Sequence, residues 1–241
     1  MRIKFNGSKS CGALLAILTL LLPPVYGQKI FAHNDYVKQE PFFRAFELKA
    51  EYIEADIFLE NGALVVAHDQ KDIDPSKTLG SMYLEPMSKK EIYDLILMID
   101  IKSDGIKTMD VLAKTLEKYK DLNCTFVVSG NYPPPSEWQN YPDFIWFDGR
   151  PDVDYTPAQK LRLKMISTSF SSVSEWDGNG DIPREDLEKI RKKIDGAHGL
   201  GQPMRFWGSP DFENAWKKFA EIGVDILNSD HIEELSRFLN R

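Results

Sequence analysis

The stretch 52–69 reads Tyr52-Ile-Glu54-Ala-Asp56-Ile-Phe-Leu-Glu-Asn61-Gly62-Ala-Leu-Val-Val-Ala-His68-Asp69. On a β-strand, residues two apart point the same way, so Glu54 and Asp56 would place two carboxylates on one face among apolar neighbours. Burying two like charges side by side is expensive unless a cation sits between them. Hard oxygen ligands at this spacing suit a divalent ion, Mg²⁺ or Ca²⁺. The alternative is a solvated edge strand with both acids turned outward. A second polar cluster, His33-Asn34-Asp35, argues against it.

Working outward, short apolar runs recur at 29–32, 52–58, 95–101, 125–129, 144–147, 165–169, 204–207 and 225–228. Runs this short and this rich in β-branched and aromatic residues suit buried parallel strands. Helical patterns lie between them at 42–50, 107–119, 184–198, 210–222 and 231–239. Pro183 and Pro210 mark first turns. The links after the second, fourth and fifth strands are less regular. Eight strands alternating with helices predict an α/β protein, a compact single-domain (β/α)8 TIM barrel. Asn61-Gly62 is a hairpin signal that would fold 64–67 back on the second strand. A doubly wound open sheet competes, but its glycine-rich phosphate fingerprint is absent.

In such a barrel the chemistry collects at the C-terminal strand ends. Here those ends carry His33-Asn34-Asp35, then Glu54 and Asp56, with His68-Asp69 beyond the hairpin turn, then Asp100-Ile-Lys102. Further on come Ser129-Gly130-Asn131, Asp148-Gly149-Arg150, Arg205 with Trp207, and Asn228 with Asp230. Asp100 would complete a three-carboxylate set, and Lys102, two residues on, would balance that charge or hold a phosphate oxygen as a point cation. Two of the four histidines, His33 and His68, flank the acids and suggest an acid/base pair. His198 and His231 read as surface or helix-capping residues.

The bulk properties bound the function. Arg2, Lys4 and Lys9 precede an apolar run, 13–22, too short to span a bilayer. Val25-Tyr26-Gly27 then offers a cleavage site, so residues 1–27 are expected to be a signal peptide and 28–241 an exported domain, secreted or periplasmic, with no membrane span after cleavage. Loss of the three leader cations takes the formal charge from −7 to −10. That acidity argues against nucleic acid and against docking on anionic membranes. Cys124 is then the only remaining thiol, and its apolar surroundings read as structural. The expected state is a monomer.

The ordered set His33-Asn34, Glu54-x-Asp56, His68-Asp69 and Asp100-x-Lys102 resembles the glycerophosphodiester phosphodiesterase and phosphatidylinositol phospholipase C-like barrel superfamily. The Asp-Ile-Lys form of the third element is nearest to the sphingomyelinase D branch. The opening Ala-His-Asn-Asp-Tyr and the closing Arg205-Phe-Trp207 and Gly223-Val-Asp-Ile-Leu-Asn228-Ser-Asp230 are similar to a secreted branch. The resemblance implies a metal-assisted phosphodiesterase acting on a small-molecule or lipid phosphodiester. Glu54, Asp56 and Asp100 would be the ligands of one divalent cation, His33 and His68 the catalytic pair, and Lys102 a phosphate contact. The usual His-Arg-Gly opening is His33-Asn34-Asp35 here, so Asn34 or Arg205 would substitute for the missing arginine.

The attacking oxygen is left open between water and a neighbouring substrate hydroxyl that would give a cyclic phosphate. Tyr36, Trp146, Phe170 and Trp207 are candidates for an aromatic wall, Trp207 foremost, with ordinary packing as the default for each. Asp177-Gly-Asn179-Gly-Asp181 imitates the front of a calcium loop but has Ile182 where the turn needs glycine, and reads as a loop rimming the pocket. Two rivals stand beside the phosphodiesterase. One is a non-catalytic binding protein on the same barrel. The other is a glycoside hydrolase using the acidic cluster, whose carboxylates would normally sit on separate strands.

Overall fold

The computed structural model describes residues 27–92 and 94–241. The proposed signal peptide therefore lies outside the described residues, except for Gly27. Eight parallel strands close on themselves in the order β1 (Lys29–Ala32), β2 (Tyr52–Glu60), β4 (Leu95–Ile101), β5 (Cys124–Gly130), β6 (Ile145–Gly149), β7 (Leu163–Ser169), β8 (Met204–Trp207) and β9 (Ile226–Ser229). Pairing of β1 with both β9 and β2 completes the barrel. β3 (Ala63–Val66) is the extra strand, antiparallel to β2, with Ile57 opposite Val66. Its turn is made by Asn61 and Gly62, both at positive φ (50° and 82°), as a two-residue hairpin requires. All eight expected strands are present, and the (β/α)8 barrel is the fold.

Strand alternation sorts the side chains into two layers. Phe31, Tyr52, Ile96, Met98, Val127, Met165 and Ile226 form one apolar cluster, with Trp146 packed against it. With Trp146 they come from seven of the eight barrel strands, so they are the floor of the barrel interior. The opposite parity (Ile53, Ala55, Ile57, Leu97, Ile99, Phe126, Val128) joins the larger cluster beneath the helices. Continuing the inward parity toward the C-terminal ends leads from Tyr52 to Glu54 and Asp56, and from Met98 to Asp100.

The helices cover the outer layer where the sequence supplies a 3.6-residue stripe. In α3 (Gly105–Leu116) the buried face is Thr108, Met109, Leu112 and Leu116, and the Asp104 side chain caps it by accepting from Lys107 N at 3.0 Å. α5 (Arg184–Gly199) buries Ile190, Ile194 and Ala197, α6 (Glu213–Ile222) buries Ala215, Trp216 and Phe219, and α7 (Ile232–Leu239) buries Ile232, Leu235 and Phe238. α1 is only Phe43–Glu47. The links expected to be irregular are so. After β2 come the hairpin, a π-helical turn at Gly80–Leu84 and the short α2 (Glu85–Ser88). After β5 there is only a 3-10 segment, Pro135–Asn140, and after β6 only α4 (Pro157–Lys160). Among the described residues no helix is long and apolar enough to cross a membrane.

Candidate functional site

His33, Asn34, Glu54, Asp56, His68, Asp100, Lys102, Arg205 and Trp207 line one cleft of about 320 Å³, shared with Ser129, Gly130 and Arg150. The parallel register places Asp56 directly beside Asp100, and Asp100 beside Ser129. One oxygen from each of Glu54, Asp56 and Asp100 lies within 4.8 Å of the others, with Glu54 and Asp56 buried and Asp100 partly so. The outward-facing alternative for this strand is excluded.

The set fits a divalent cation on two counts. Asp56 Oδ1 and Asp100 Oδ1 are buried without a hydrogen-bond partner, and both are hard oxygen donors. Room for the Asp100 carboxylate depends on Gly130, at φ 76°, because a Cβ there would collide with Asp100 Oδ1. Burial pushes the Asp56 carboxyl up to about 7, with the Glu54 charge adding to it and Lys102 opposing. Lys102 Nζ stands 3.0 Å from Asp56 Oδ2 and 2.9 Å from Asp100 Oδ2, so an ammonium already ties these two acids together.

His33 follows β1 and is held from both sides. Its Nδ1 is 2.9 Å from Asp230 Oδ1, and its Nε2 is 3.6 Å from Glu54 Oε2. Burial alone would lower its pKa, but the hydrogen bond to Asp230 and the Glu54 charge outweigh that and raise it. Asn34 is the spacer. Its left-handed conformation (φ 51°), which asparagine tolerates, aims its backbone N–H at Glu54 Oε2 (3.0 Å). Its amide nitrogen donates to Asp230 Oδ1 at 3.1 Å, and its carbonyl oxygen lies 2.7 Å from the Tyr36 hydroxyl. His68 reaches the cleft through the hairpin: Ala67 N donates to Asp56 O at 3.2 Å, which returns the next residue to the acids. The His68 side chain is half-exposed, 3.6 Å from Asp69.

Arg205 lines the cleft from below. It is buried, its Nε and Nη2 donate to Asn228 Oδ1 at 2.9 and 2.7 Å, and its guanidinium stacks 3.6 Å above the Phe31 ring centroid. It stands 3.6 Å from Glu54 Oε1. Trp207 is 45% exposed at the mouth, as a wall residue must be. The other three aromatics take packing or anchoring roles. Trp146 joins the floor, Phe170 packs edge-on to Phe206 and Phe219 in the outer core, and buried Tyr36 holds Asp56 Oδ2 at 2.7 Å. The 177–181 loop is a correction: it does not line the cleft. Gly178 packs against Phe212, while Asp177 bonds Asn179 instead of converging on a cation. His198 pairs with Asp225 (2.8 Å), and His231 precedes α7, as expected of surface and capping residues.

Asp230, Ser129 and Arg150 were visible as strand-end polar groups but were not assigned roles. The signal that would have found Ser129 and Arg150 is parity. Val127 and Trp146 are floor residues, so Ser129 on β5, and Asp148 and Arg150 from β6, share their inward direction.

A family described as the AIM6-like phosphodiesterase domain matches residues 21–94, which hold His33, Glu54, Asp56 and His68. The altered inheritance of mitochondria protein 6 homolog of Arthroderma benhamiae is 26% identical over 254 aligned residues, covering 84% of this chain and 81% of its own length. Altered inheritance of mitochondria protein 6 of Eremothecium gossypii is 25% identical, covering 87% and 69%. A crystal structure of a candidate glycerophosphodiester phosphodiesterase from Galdieria sulphuraria shares the fold, with a TM-score of 0.62 at 16% identity over 89% of this chain and 98% of that one. In sequence over residues 21–94 the chain is similar to the AIM6-like phosphodiesterase domain, and over most of its length it shares the barrel fold of the Galdieria structure.

Proposed function

We propose that this protein is an exported, divalent-cation-dependent phosphodiesterase that cleaves a glycerophosphodiester or phospholipid-type phosphodiester by histidine acid/base catalysis. One observation carries the reading: three carboxylates with two unpartnered oxygens share a cleft with two histidines. Glu54, Asp56 and Asp100 would hold the ion. When bound, it would offset charge building on a phosphate oxygen in the transition state.

The remaining roles follow from the side chains. Asp230 accepts from His33 Nδ1–H, which leaves Nε2 as the proton acceptor, so His33 is the base toward the attacking oxygen. Half-exposed His68 is the acid that protonates the leaving alkoxide. Asn34 fixes the spacing of His33 and Glu54, Arg205 balances Glu54 from beneath, and Trp207 lines the entrance for the alcohol portion. The carboxylate spacing favours one shared ion over the wider pair that a glycosidase needs. The leader at 1–27 and the acidic mature charge support export as a monomer.

The test is turnover of simple phosphodiesters with Mg²⁺ or Ca²⁺. His33→Ala and His68→Ala should each lower it by roughly 10²–10⁴-fold, and a chelator should abolish it. Undiminished turnover in both variants overturns the assignment. The Lys102 bridge favours a second reading, a metal-free binding protein in which the ammonium fills the acidic cluster. A titration of Mg²⁺ or Ca²⁺ into the metal-stripped protein that releases no heat would favour that one.

A further inference from the structure

We infer that Arg150 is the side chain that receives the substrate's phosphate oxygens, held in place for that purpose by Asp148; this rests on the phosphodiesterase reading above. Three permanent cations line the cleft, and two of them are already engaged. Arg205 is buried, with Nε and Nη2 on Asn228 and Nη1 on Met98 Sδ at 3.4 Å. Lys102 is shared between Asp56 and Asp100. Asn34 cannot substitute, since its amide is used by Asp230 and Tyr36.

Arg150 differs from both. Its side chain is one-third exposed, at 34%. A single nitrogen anchors it: Nη1 donates to Asp148 Oδ2 at 2.8 Å, to Gly149 O at 3.1 Å and to Asp148 O at 3.3 Å. Among the described residues nothing accepts from Nε or Nη2. The Tyr132 ring supports the guanidinium at 5.6 Å, and the Tyr132 hydroxyl donates to Asp148 O at 2.7 Å. Asp148 itself is fully buried, and its Oδ2 takes a second donor, Ser129 Oγ, at 2.8 Å.

A buried carboxylate paired with a cation at a solvent opening is a poor device for stability, because desolvation offsets most of the attraction. What it achieves is a guanidinium fixed at one corner with its other donors turned to the cleft. A planar fork of that kind matches two oxygens of one phosphate, which a lysine point charge does not. The ligand class is therefore a phosphate group with two free oxygens: the diester of the substrate, or a phosphate monoester or inorganic phosphate after reaction.

The test is calorimetric titration of inorganic phosphate into the full exported chain with Mg²⁺ present, for wild type, Arg150→Met, Arg150→Lys and Asp148→Asn. Arg150→Met should weaken phosphate binding roughly 10–100-fold. Arg150→Lys should recover only part of that, and Asp148→Asn should lose part of the affinity. Arg150→Met strands the buried Asp148 carboxylate and should lower the melting temperature, whereas Arg150→Lys keeps a cation beside it and should hold both melting temperature and Mg²⁺ affinity near wild type while still losing phosphate affinity, which separates a ligand contact from a folding defect. Phosphate binding by Arg150→Met at the wild-type level, or none by wild type, overturns the inference. Turnover of bis(4-nitrophenyl) phosphate by wild type is measured alongside. Arg150-dependent phosphate binding without turnover supports this site while overturning the phosphodiesterase reading. Turnover with Arg150-independent phosphate binding does the reverse.

Discussion

Asp230 sets what His33 can do. The carboxylate fixes the ring through Nδ1 and, with Glu54, raises the imidazole pKa from its ordinary value despite burial. A base works only when neutral, so the acid limb of the pH–rate profile should be displaced upward from that of an ordinary histidine. Asp230→Asn should shift the limb to lower pH and reduce kcat/KM, read from profiles of the two proteins; an unmoved limb would show that another group titrates there. Gly130 acts by what it lacks. Gly130→Ala meets Asp100 Oδ1 at a positive φ, so it should cost more than about 1 kcal/mol in urea unfolding and weaken Mg²⁺ binding together. Cys124 is inert for a different reason: burial pushes its thiol up to about 12. It should resist alkylation at pH 8 in the native protein and react once unfolded. At this scale the acids and histidines were legible, because charge on an apolar strand has few explanations. The roles of Asp230 and Arg150 were not: His33, the partner of Asp230, is remote in sequence, and Asp148, though only two residues from Arg150, does not reveal which guanidinium donors the fold leaves free.

Among the elements, the β2–β3 hairpin contributes most to the site, because it returns His68 to a position beside Asp56. Gly62 sits at φ 82°, so Gly62→Ala should destabilise the fold by about 1 kcal/mol and lower turnover through His68. By contrast Asp104→Ala removes only the α3 cap; the same unfolding assay should register about 1 kcal/mol. Hairpin, caps and helix stripes were all readable locally, since each depends on residues within a few positions. The π-helical turn at Gly80–Leu84 was not. It is tied down by Tyr83, whose hydroxyl donates toward Asp35 Oδ2 at 3.0 Å and lies 3.2 Å from Glu54 O, contacts that no local pattern announces.

For the whole molecule, the acidic cleft is a liability that a cation would relieve. Burial and Glu54 raise Asp56 from 3.8 to about 7. A carboxyl raised on folding binds more protons folded than unfolded. Its contribution is therefore complete below about pH 4 and is lost as pH rises through about 7 in the metal-free protein. A bound divalent ion favours the anionic form, so the rise in Tm on adding Mg²⁺ or Ca²⁺ should be larger at pH 8 than at pH 5. At about 100 times Kd the stabilisation is about 2.7 kcal/mol. An equal response at both values, or none, would count against the cluster as an ion site. The sequence by itself determined the eight strands, their inward parity and the pairing of acids two apart, because alternation along a strand is a local property. Only the tertiary structure decided that Asp56 lies beside Asp100, that Asp230 closes on His33, and that Arg205 is buried while Arg150 keeps free donors. Those neighbours are set by register and barrel closure, which depend on the packing of all strands at once.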